Sequence, residues 1–278
     1  MLTYAKSGYA ELNGTKLYYE IAGQGHPLVL SHGWLGDHSV WDGQFEAFAQ
    51  HFTVVRYDIR GFGSSGKREK DMVPFSMEHD LYSLLQFLNI KKTFLLGVSM
   101  GSALAIDFTL QYPTMVDALV TVSSGLTGFE ETPDERLKEK FGSLHQTLRS
   151  GDLIGASEVL LQIWTDGLYR TPEQVDPQIR ERMRTTILHN LKRGDDPSVQ
   201  PQKIAPPAVG RLAEIQVPTL VIAGDLDVKN IQLIAETLEK GIVNAKRVVV
   251  PGTAHYPNVV KPQEFNEEVI EFLKRLDS

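Results

Sequence analysis

The sequence predicts an α/β fold in which a mostly parallel central sheet carries helices on both of its faces. Six short runs rich in Leu or β-branched residues alternate with longer segments of helical periodicity along most of the chain. The runs are apolar over most of their length, which is typical of strands buried on both sides in a parallel sheet. They are PLVLSHG (27–33), FTVVRYDI (52–59), TFLLGV (93–98), ALVTVSS (118–124), PTLVIAG (218–224) and RVVVPG (247–252).

Local signals predict the other elements in order. Asn13-Gly14 lies between alternating residues and predicts a two-residue hairpin turn near the N-terminus. Ser76 is a candidate N-cap for a helix with leucines at helical spacing. A helix that begins near Met100 should end by Tyr112, because a proline follows. Further helices are expected at 39–50, 229–240 and 263–276.

The alternation of strands and helices stops in the stretch 129–205. We interpret this stretch as a helical cap inserted between two strands of the sheet. The alternative is that its helices simply cover one sheet face. The predicted division is therefore a core domain of residues 1–128 and 206–278 and a cap, or lid, of residues 129–205. Three cap helices are expected near 133–149, 152–166 and 172–193.

Composition excludes several classes of function. The chain of 278 residues has a net charge of −7 and no cysteine. Nucleic acid repels such a chain, and neither a disulfide nor a thiolate metal site can form. No apolar stretch reaches the length of about 18 residues that spans a bilayer, and no secretory signal pattern is present. We therefore expect a cytoplasmic protein that binds neither nucleic acid nor membrane. No sequence feature assigns an oligomeric state.

The strongest chemical signal is the segment GVSMG at 97–101. The pattern G-x-S-x-G between a strand and a helix is that of a nucleophile elbow, a sharp turn that needs small residues two positions before and after the serine. Ser99 is therefore a candidate nucleophile. The N-terminus of the following helix would stabilise negative charge that develops beside it.

A serine nucleophile needs a base, and the chain has eight histidines. His255 follows the last predicted strand, and residues that follow parallel strands meet at one edge of the sheet, where Ser99 also lies. A carboxylate has to orient the base. Asp225 and Asp227 both follow the strand at 218–224, and their spacing does not choose between them.

Attack on a carbonyl also needs two backbone amides to bind the oxyanion. The amide of Met100, directly after the candidate nucleophile, is one candidate. The amide of Trp34, in the loop after the strand at 27–33, is the other. His32 lies beside a glycine in the same loop, and we interpret it as shaping the loop rather than acting as the base.

Together these segments resemble the α/β hydrolase fold family over most of the chain outside 129–205. The resemblance rests on HGW (32–34), DIRGFGSS (58–65), GVSMG (97–101), VPTLVIAGDLD (217–227) and GTAHYPN (252–258). In that family the acid usually stands three residues after the glycine that closes its strand, which implies Asp227. The chain is similar to carboxylesterases and 3-oxoadipate enol-lactone hydrolases, and also to cofactor-free haloperoxidases that act as perhydrolases. Haloalkane dehalogenases and epoxide hydrolases carry Asp where this chain has Ser99.

The resemblance implies a serine hydrolase that cleaves a small-molecule carboxylic ester or lactone. The expected roles are Ser99 as nucleophile, His255 as base and Asp227 as orienting acid, with no metal and no organic cofactor. Two alternatives stay open. The same triad could hydrolyse a carbon–carbon bond or catalyse perhydrolysis, and the fold could carry a non-catalytic ligand-binding protein.

Apolar side chains near the predicted site indicate a pocket for an acyl chain of short to medium length. The candidates are Leu126, Phe129, Trp164 and Leu168. The alternative is that these side chains pack the cap onto the core. Cationic residues of the predicted cap helices, Arg180 and Arg184 among them, are interpreted as a solvated helix face.

Overall fold

A computed structural model describes residues 6–70, 72–196 and 198–276, with an eight-stranded sheet at the centre. In chain order the strands are β1 (Lys6–Leu12), β2 (Thr15–Ala22), β3 (Pro27–Ser31), β4 (Thr53–Tyr57), β5 (Thr93–Val98), β6 (Val116–Val122), β7 (Thr219–Gly224) and β8 (Ala245–Val250). Across the sheet they lie in the order β1-β2-β4-β3-β5-β6-β7-β8. Strands β3 to β8 are parallel to one another, whereas β1 and β2 are antiparallel to their neighbours. The predicted fold class is confirmed.

Helices connect the parallel strands and cover both faces of the sheet. They are α1 (Asp42–Ala49), α2 (Met77–Phe87), α3 (Met100–Gln111), α4 (Glu135–Ser150), α5 (Leu153–Leu160), α6 (Pro177–Leu191), α7 (Lys229–Gly241), α8 (Pro257–Val260) and α9 (Pro262–Lys274). Every residue of β5 and of β7 is buried, which requires cover on both faces. Helix α1 packs with α9, and α2 packs with α3.

Local signals place several of these elements as predicted. Asn13 and Gly14 have φ values of 47° and 70°, as the two-residue turn between β1 and β2 requires. The Ser76 hydroxyl accepts the His79 N–H at 3.1 Å and so caps α2. Helix α3 ends at Gln111, two residues before a proline.

The stretch predicted to form a cap contains α4, α5 and α6, and its described residues form no strand. The side chains of Asp134, Asp152 and Asp176 each accept a backbone N–H bond and cap one of the three helices. Helix α5 continues into a π-helical turn at Leu161–Thr165, which the sequence pattern did not predict. The three helices are thus confirmed, and the division into core and cap domains stays a prediction.

Length and apolarity decide whether a helix can cross a lipid bilayer. Among the described residues, no helix combines enough of both.

Two carboxylates lie in the packed layer between α2 and α3. Glu78 is 2 % exposed and Asp107 is 5 % exposed. Oε2 of Glu78 and Oδ1 of Asp107 have no hydrogen-bond partner among the described residues. Burial raises the pKa of Glu78 to about 7 and the pKa of Asp107 to about 6, and the charge of Asp107 raises the pKa of Glu78 further. A substantial fraction of Glu78 is therefore protonated in the folded protein at neutral pH.

We expect Glu78→Gln to stabilise the protein at alkaline pH. The ordinary pKa of glutamate is 4.5, and folding raises the pKa of Glu78 to about 7. Below about pH 4.5 Glu78 is protonated in both the folded and the unfolded chain, and the stability associated with its protonated form is fully present. This stability is lost as the pH rises through about 7, because the folded protein then has to bury a charged carboxylate. Glutamine keeps the size of the side chain and removes this loss, so the free energy of unfolding should increase by about 1–3 kcal/mol at pH 8 and change little at pH 5.

Urea unfolding at both pH values measures this difference, with Glu135→Gln as the control. The Glu135 carboxylate is 77 % exposed, so its neutralisation should leave the pH dependence of stability as it is in the wild type. A Glu78→Gln effect of equal size at pH 5 and pH 8 would contradict the prediction.

Candidate active site

Ser99 lies on a strained turn between β5 and α3. Its φ and ψ are 56° and −116°, a conformation that residues with a Cβ rarely adopt. Backbone hydrogen bonds hold the turn. The Ser99 N–H donates to the Val122 carbonyl at 2.9 Å, and the N–H groups of Ser102 and Gly125 donate to the Ser99 carbonyl at 3.0 and 3.2 Å. This strand–turn–helix geometry is that of a nucleophile elbow.

Two glycines make the turn sterically feasible. A Cβ on Gly101 would lie less than 3.0 Å from the carbonyl oxygens of Ser31 and His32. A Cβ on Gly97 would collide with the backbone of Gly101. Helix α3 therefore begins in backbone contact with the end of β3, which is the close approach that the G-x-S-x-G spacing predicted.

His255 and Asp227 form a buried pair. His255 follows β8 and Asp227 follows β7, and their side chains are 2 % and 0 % exposed. Nδ1 of His255 lies 3.0 Å from Oδ2 and 3.2 Å from Oδ1 of Asp227. An ionised carboxylate only accepts hydrogen bonds, so in this pair Nδ1 carries the proton, and Nε2 of a neutral imidazole is then free to accept one.

Asp225 has a different environment from Asp227. Its Oδ1 accepts the Gly252 N–H at 2.6 Å and so fixes the loop between β8 and His255. The sequence spacing left both aspartates open as the partner of His255. The fold turns the side chain of Asp227 toward His255 and that of Asp225 toward the loop backbone.

His32 shapes the loop after β3, as we expected. Its Nδ1 lies 2.8 Å from the Gly33 carbonyl, and its Nε2 accepts the Ile59 N–H at 2.9 Å. Burial lowers the pKa of His32, which keeps the ring neutral. The ring therefore ties the loop after β3 to the loop after β4, with both nitrogens engaged by the backbone.

The two predicted oxyanion residues flank the turn of Ser99. Met100 is the first residue of α3. Trp34 follows Gly33, and a Cβ on Gly33 would lie 3.2 Å from Cβ of Ser99. Trp34 and Met100 line one cavity of about 310 Å³.

The π-helical turn after α5 contacts the His255 loop. The His255 N–H donates to the Trp164 carbonyl at 3.2 Å, and the two rings are 4.5 Å apart between centroids. Gly167 has a φ of 78°, and a Cβ there would lie 2.8 Å from Cβ of Ala254 and 2.9 Å from the Leu226 carbonyl oxygen. This segment therefore packs against the loops that carry both members of the Asp227–His255 pair.

A buried ion pair supports the same segment. Asp166 is fully buried, and its carboxylate accepts Nε and Nη2 of Arg180 at 2.8 and 3.0 Å. Glu158 accepts both Arg180 and Arg184, at 2.7 and 2.8 Å. The interpretation of these two arginines as a solvated helix face was therefore wrong. Asp166 and Glu158 lie 14 to 26 positions away from these arginines in the sequence, beyond the reach of helical spacing.

The four predicted pocket residues pack in two groups, Leu126 and Phe129 against the main core and Trp164 and Leu168 against a smaller cluster. Leu126 is 8 % exposed, and its carbonyl accepts the Phe129 N–H at 3.1 Å. Trp164 contacts His255 as described above. Leu168 packs against a small cluster that includes Val228, next to Asp227. Their contribution to an acyl pocket stays a prediction.

Asp37, His38 and Asp58 are a group of side chains whose ligand atoms lie within 4.8 Å of one another. The protein itself engages these atoms. The Asp58 carboxylate accepts the His38 N–H and the Ser64 N–H, both at 2.7 Å, and Nδ1 of His38 lies 2.8 Å from it. Burial opposes the charge on His38, but Asp58 raises the pKa of the ring. These bonds anchor the loops after β3 and β4, and we assign the group a structural role.

The family model of the α/β hydrolase fold matches residues 26–262 of the chain. A pimeloyl-[acyl-carrier protein] methyl ester esterase of Yersinia enterocolitica is 28 % identical over 268 residues, which cover 94 % of this chain and 98 % of that enzyme. An uncharacterized protein of Mycobacterium bovis is 35 % identical over 118 residues. That match covers 42 % of this chain and spans only 34 % of the length of the mycobacterial relative.

Solved structures show the same architecture. Est816, an N-acyl homoserine lactone degrading enzyme, matches with a TM-score of 0.73 and 26 % identity, over 95 % of this chain and 100 % of its own. The enol-lactonase from Burkholderia xenovorans matches with a TM-score of 0.76 and 23 % identity, over 96 % of this chain and 100 % of its own. The second likeness concerns the fold alone.

Substitution of Gly101 by alanine should strongly destabilise the protein. The added Cβ would overlap the carbonyl oxygens of Ser31 and His32, which belong to backbone that cannot move without disturbing β3. We expect a loss of about 3 kcal/mol or more in the free energy of unfolding. Urea or thermal unfolding measures it.

Gly125→Ala is the matched control. Its Cβ would meet its nearest neighbour at 3.6 Å, and its φ lies outside the left-handed region. This variant should lose less than about 1 kcal/mol. Equal stabilities of the two variants would rule out the close contact between α3 and β3.

Proposed function

We propose that this chain, which belongs to the α/β hydrolase fold family, is a serine hydrolase that cleaves carboxylic esters or lactones. The observation that carries the proposal is the buried pair of Asp227 and His255. Both residues follow strands parallel to the one that ends at Ser99, so all three leave the sheet at the same edge. Acyl transfer requires a serine nucleophile and a base that a carboxylate orients. The edge of the sheet that carries the strained Ser99 also carries such a base and carboxylate.

In the proposed reaction Ser99 is the nucleophile and His255 the base. Asp227 holds the proton on Nδ1 of His255, so Nε2 takes the proton of Ser99 Oγ as that oxygen attacks the carbonyl carbon. The imidazolium then protonates the leaving oxygen, and the acyl group stays on Ser99. A water molecule that gives its proton to His255 attacks this acyl-enzyme, and the acid is released as Ser99 regains its proton.

The tetrahedral intermediates place a negative charge on the former carbonyl oxygen. We propose that the backbone N–H groups of Met100 and Trp34 donate hydrogen bonds to this oxygen. Met100 is the first residue of α3, so its N–H has no partner within the helix, and the helix N-terminus adds partial positive charge. Side chains and amides of this chain supply every step, and the proposal includes no metal and no organic cofactor.

Small-molecule carboxylic esters and lactones are the proposed substrates. A relative is named as a methyl ester esterase, and a similar structure is described as an N-acyl homoserine lactone degrading enzyme. We propose that Leu126, Phe129, Trp164 and Leu168 form the acyl pocket and that residues 129–205 act as its lid. The contact between Trp164 and His255 supports this arrangement, because it brings the lid segment against the proposed base.

Ser99→Ala should abolish ester hydrolysis by removing the nucleophile. We expect kcat on p-nitrophenyl acetate, butyrate or octanoate to fall by about 10³-fold or more. Ser64→Ala, at an exposed serine, should leave the rate unchanged. The order of rates among the three esters maps the acyl pocket. A wild type that turns over none of them, or a Ser99→Ala variant as fast as the wild type, would refute the proposal.

Asp227→Asn and Asp225→Asn should differ sharply in activity. The first replaces the carboxylate that contacts Nδ1 of His255, and we expect kcat to fall by about 10³- to 10⁴-fold. The second weakens a single hydrogen bond to the Gly252 N–H and should change kcat by less than about fivefold. Initial rates on p-nitrophenyl butyrate, with thermal unfolding as a check of folding, measure both. The reverse order of activities would transfer the acid role to Asp225.

A further inference from the structure

The cavity beside Trp34 and Met100 extends away from the turn of Ser99. Its volume is about 310 Å³, and its walls come from the loop after β4, the start of α2 and the segment that follows α6. Phe62, Phe75 and Leu191 supply much of its apolar wall. Two arginines, Arg60 and Arg68, also line it. The carboxylate of Asp195 lines the cavity as well, so its apolar wall carries two cations and one anion at defined positions.

Arg60 is fully paired. Its Nε and Nη2 donate to the two carboxylate oxygens of Asp80, both at 2.7 Å. Its guanidinium also lies 4.4 Å over the ring of Phe75. A bidentate ion pair of this kind leaves no net charge for a ligand.

Arg68 lacks such a partner. Its Nε is buried and has no hydrogen-bond acceptor among the described residues, and the carboxylate of Asp195 stands 3.8 Å away. That carboxylate is already engaged, because Oδ1 accepts the backbone N–H of Arg68 at 2.7 Å and Oδ2 accepts Nε of Arg193 at 2.9 Å. Two guanidinium groups, those of Arg68 and Arg193, share this carboxylate, so its single negative charge does not neutralise both.

The guanidinium of Arg68 is also held in place. Its carbon lies 5.5 Å over the ring of Phe62. On another side it contacts Gly61, where a Cβ would lie 2.6 Å from Nε of Arg68. Gly61 has a φ of 87°. A cation fixed in this way against an apolar wall loses little further side-chain entropy when it binds an anion.

We propose that Arg68 binds a carboxylate carried by the substrate, at the end of an arm that extends from the scissile carbonyl into this cavity. The inference rests on the proposed serine hydrolase function, because Trp34 and Met100 line the same cavity as the proposed oxyanion donors. The planar guanidinium matches the two oxygens of a carboxylate. The substrate class is then a half-ester of a dicarboxylic acid, or a lactone with a carboxylate side chain.

The size of the cavity limits the arm to a few carbons. Sites for small molecules occupy about 300–1,000 Å³, and this cavity of about 310 Å³ is at the lower end. Its apolar wall suits a methylene chain, and Arg68 supplies the charge that the end of the chain needs. The Nε–H of Arg68 is buried without a hydrogen-bond acceptor among the described residues, which is costly, and a substrate carboxylate removes that cost.

The test compares two p-nitrophenyl esters whose acyl groups both have five carbons. Mono-p-nitrophenyl glutarate ends in a carboxylate, and p-nitrophenyl valerate ends in a methyl group. Arg68→Met keeps an unbranched side chain and removes the charge. We expect it to lower kcat/KM on the glutarate ester by about 10- to 100-fold, mainly through KM, and on the valerate ester by less than about threefold. Lys67→Met removes the same charge from the adjacent exposed position and should change neither value by more than about threefold.

A fall of similar size on both esters would overturn the inference and make Arg68 a structural residue. The absence of a fall on the glutarate ester would overturn it as well. If the melting temperature of Arg68→Met is well below that of the wild type, Arg68→Lys is measured in its place. Lysine keeps the charge without the planar donor pair, so it should recover part of the preference for the glutarate ester.

Binding of free glutarate separates the inference from the proposed function. Glutarate should raise the melting temperature of the wild type and of Ser99→Ala more than glutaramide does, and Arg68→Met should lose the difference. If neither ester is hydrolysed but this difference is found, the serine hydrolase proposal fails and the anion site stands. If glutarate and glutaramide act alike on the wild type, the anion site fails whatever the esterase activity.

Discussion

The backbone contact between α3 and the end of β3 is the constraint on which the candidate site depends. Because Gly101 carries no side chain, α3 can begin against the carbonyl of Ser31. That position forces Ser99 to a φ of 56° and sets the first amide of α3 beside it. The strained backbone costs about 1–3 kcal/mol. Every residue of β5 and nine of the twelve residues of α3 are buried, and the removal of their apolar surface from water offsets that cost.

The segment that contains the π-helical turn contacts the candidate site through its backbone. The Trp164 carbonyl accepts the His255 N–H, and Gly167 lies against the loops of both His255 and Asp227. The buried pair of Asp166 and Arg180 holds this segment. To break such a pair by removing one partner costs about 3–5 kcal/mol. A motion of this region that leaves His255 in place therefore has to hinge outside the π-helical turn.

The sequence predicted those parts of the molecule that local pattern controls. The parallel strands, the hairpin turn at Asn13 and the turn of Ser99 follow from periodicity and from steric rules that act over a few residues. Spacing could not choose between Asp225 and Asp227, because the direction of a side chain in a loop depends on tertiary contacts such as that with Gly252. For the same reason the sequence did not predict the ion pairs of Arg180 and Arg184, or that Nε of Arg68 has no hydrogen-bond acceptor among the described residues. The carboxylate beside Arg68 lies 127 positions away in the sequence.

A net charge of −7 and a binding site for an anion are compatible because the two act over different distances. At physiological ionic strength the Debye length is about 8 Å, so most surface carboxylates are screened from a ligand inside the cavity. A carboxylate about 4 Å from a guanidinium gains about 4 kcal/mol at an effective dielectric constant of 20. A nucleic acid has to cover a wide surface and meets the whole acidic field, whereas a small monoanion meets Arg68 and its shared partner Asp195. A net negative charge therefore does not exclude a substrate with a single carboxylate, and the sharing of one carboxylate by two guanidinium groups favours it.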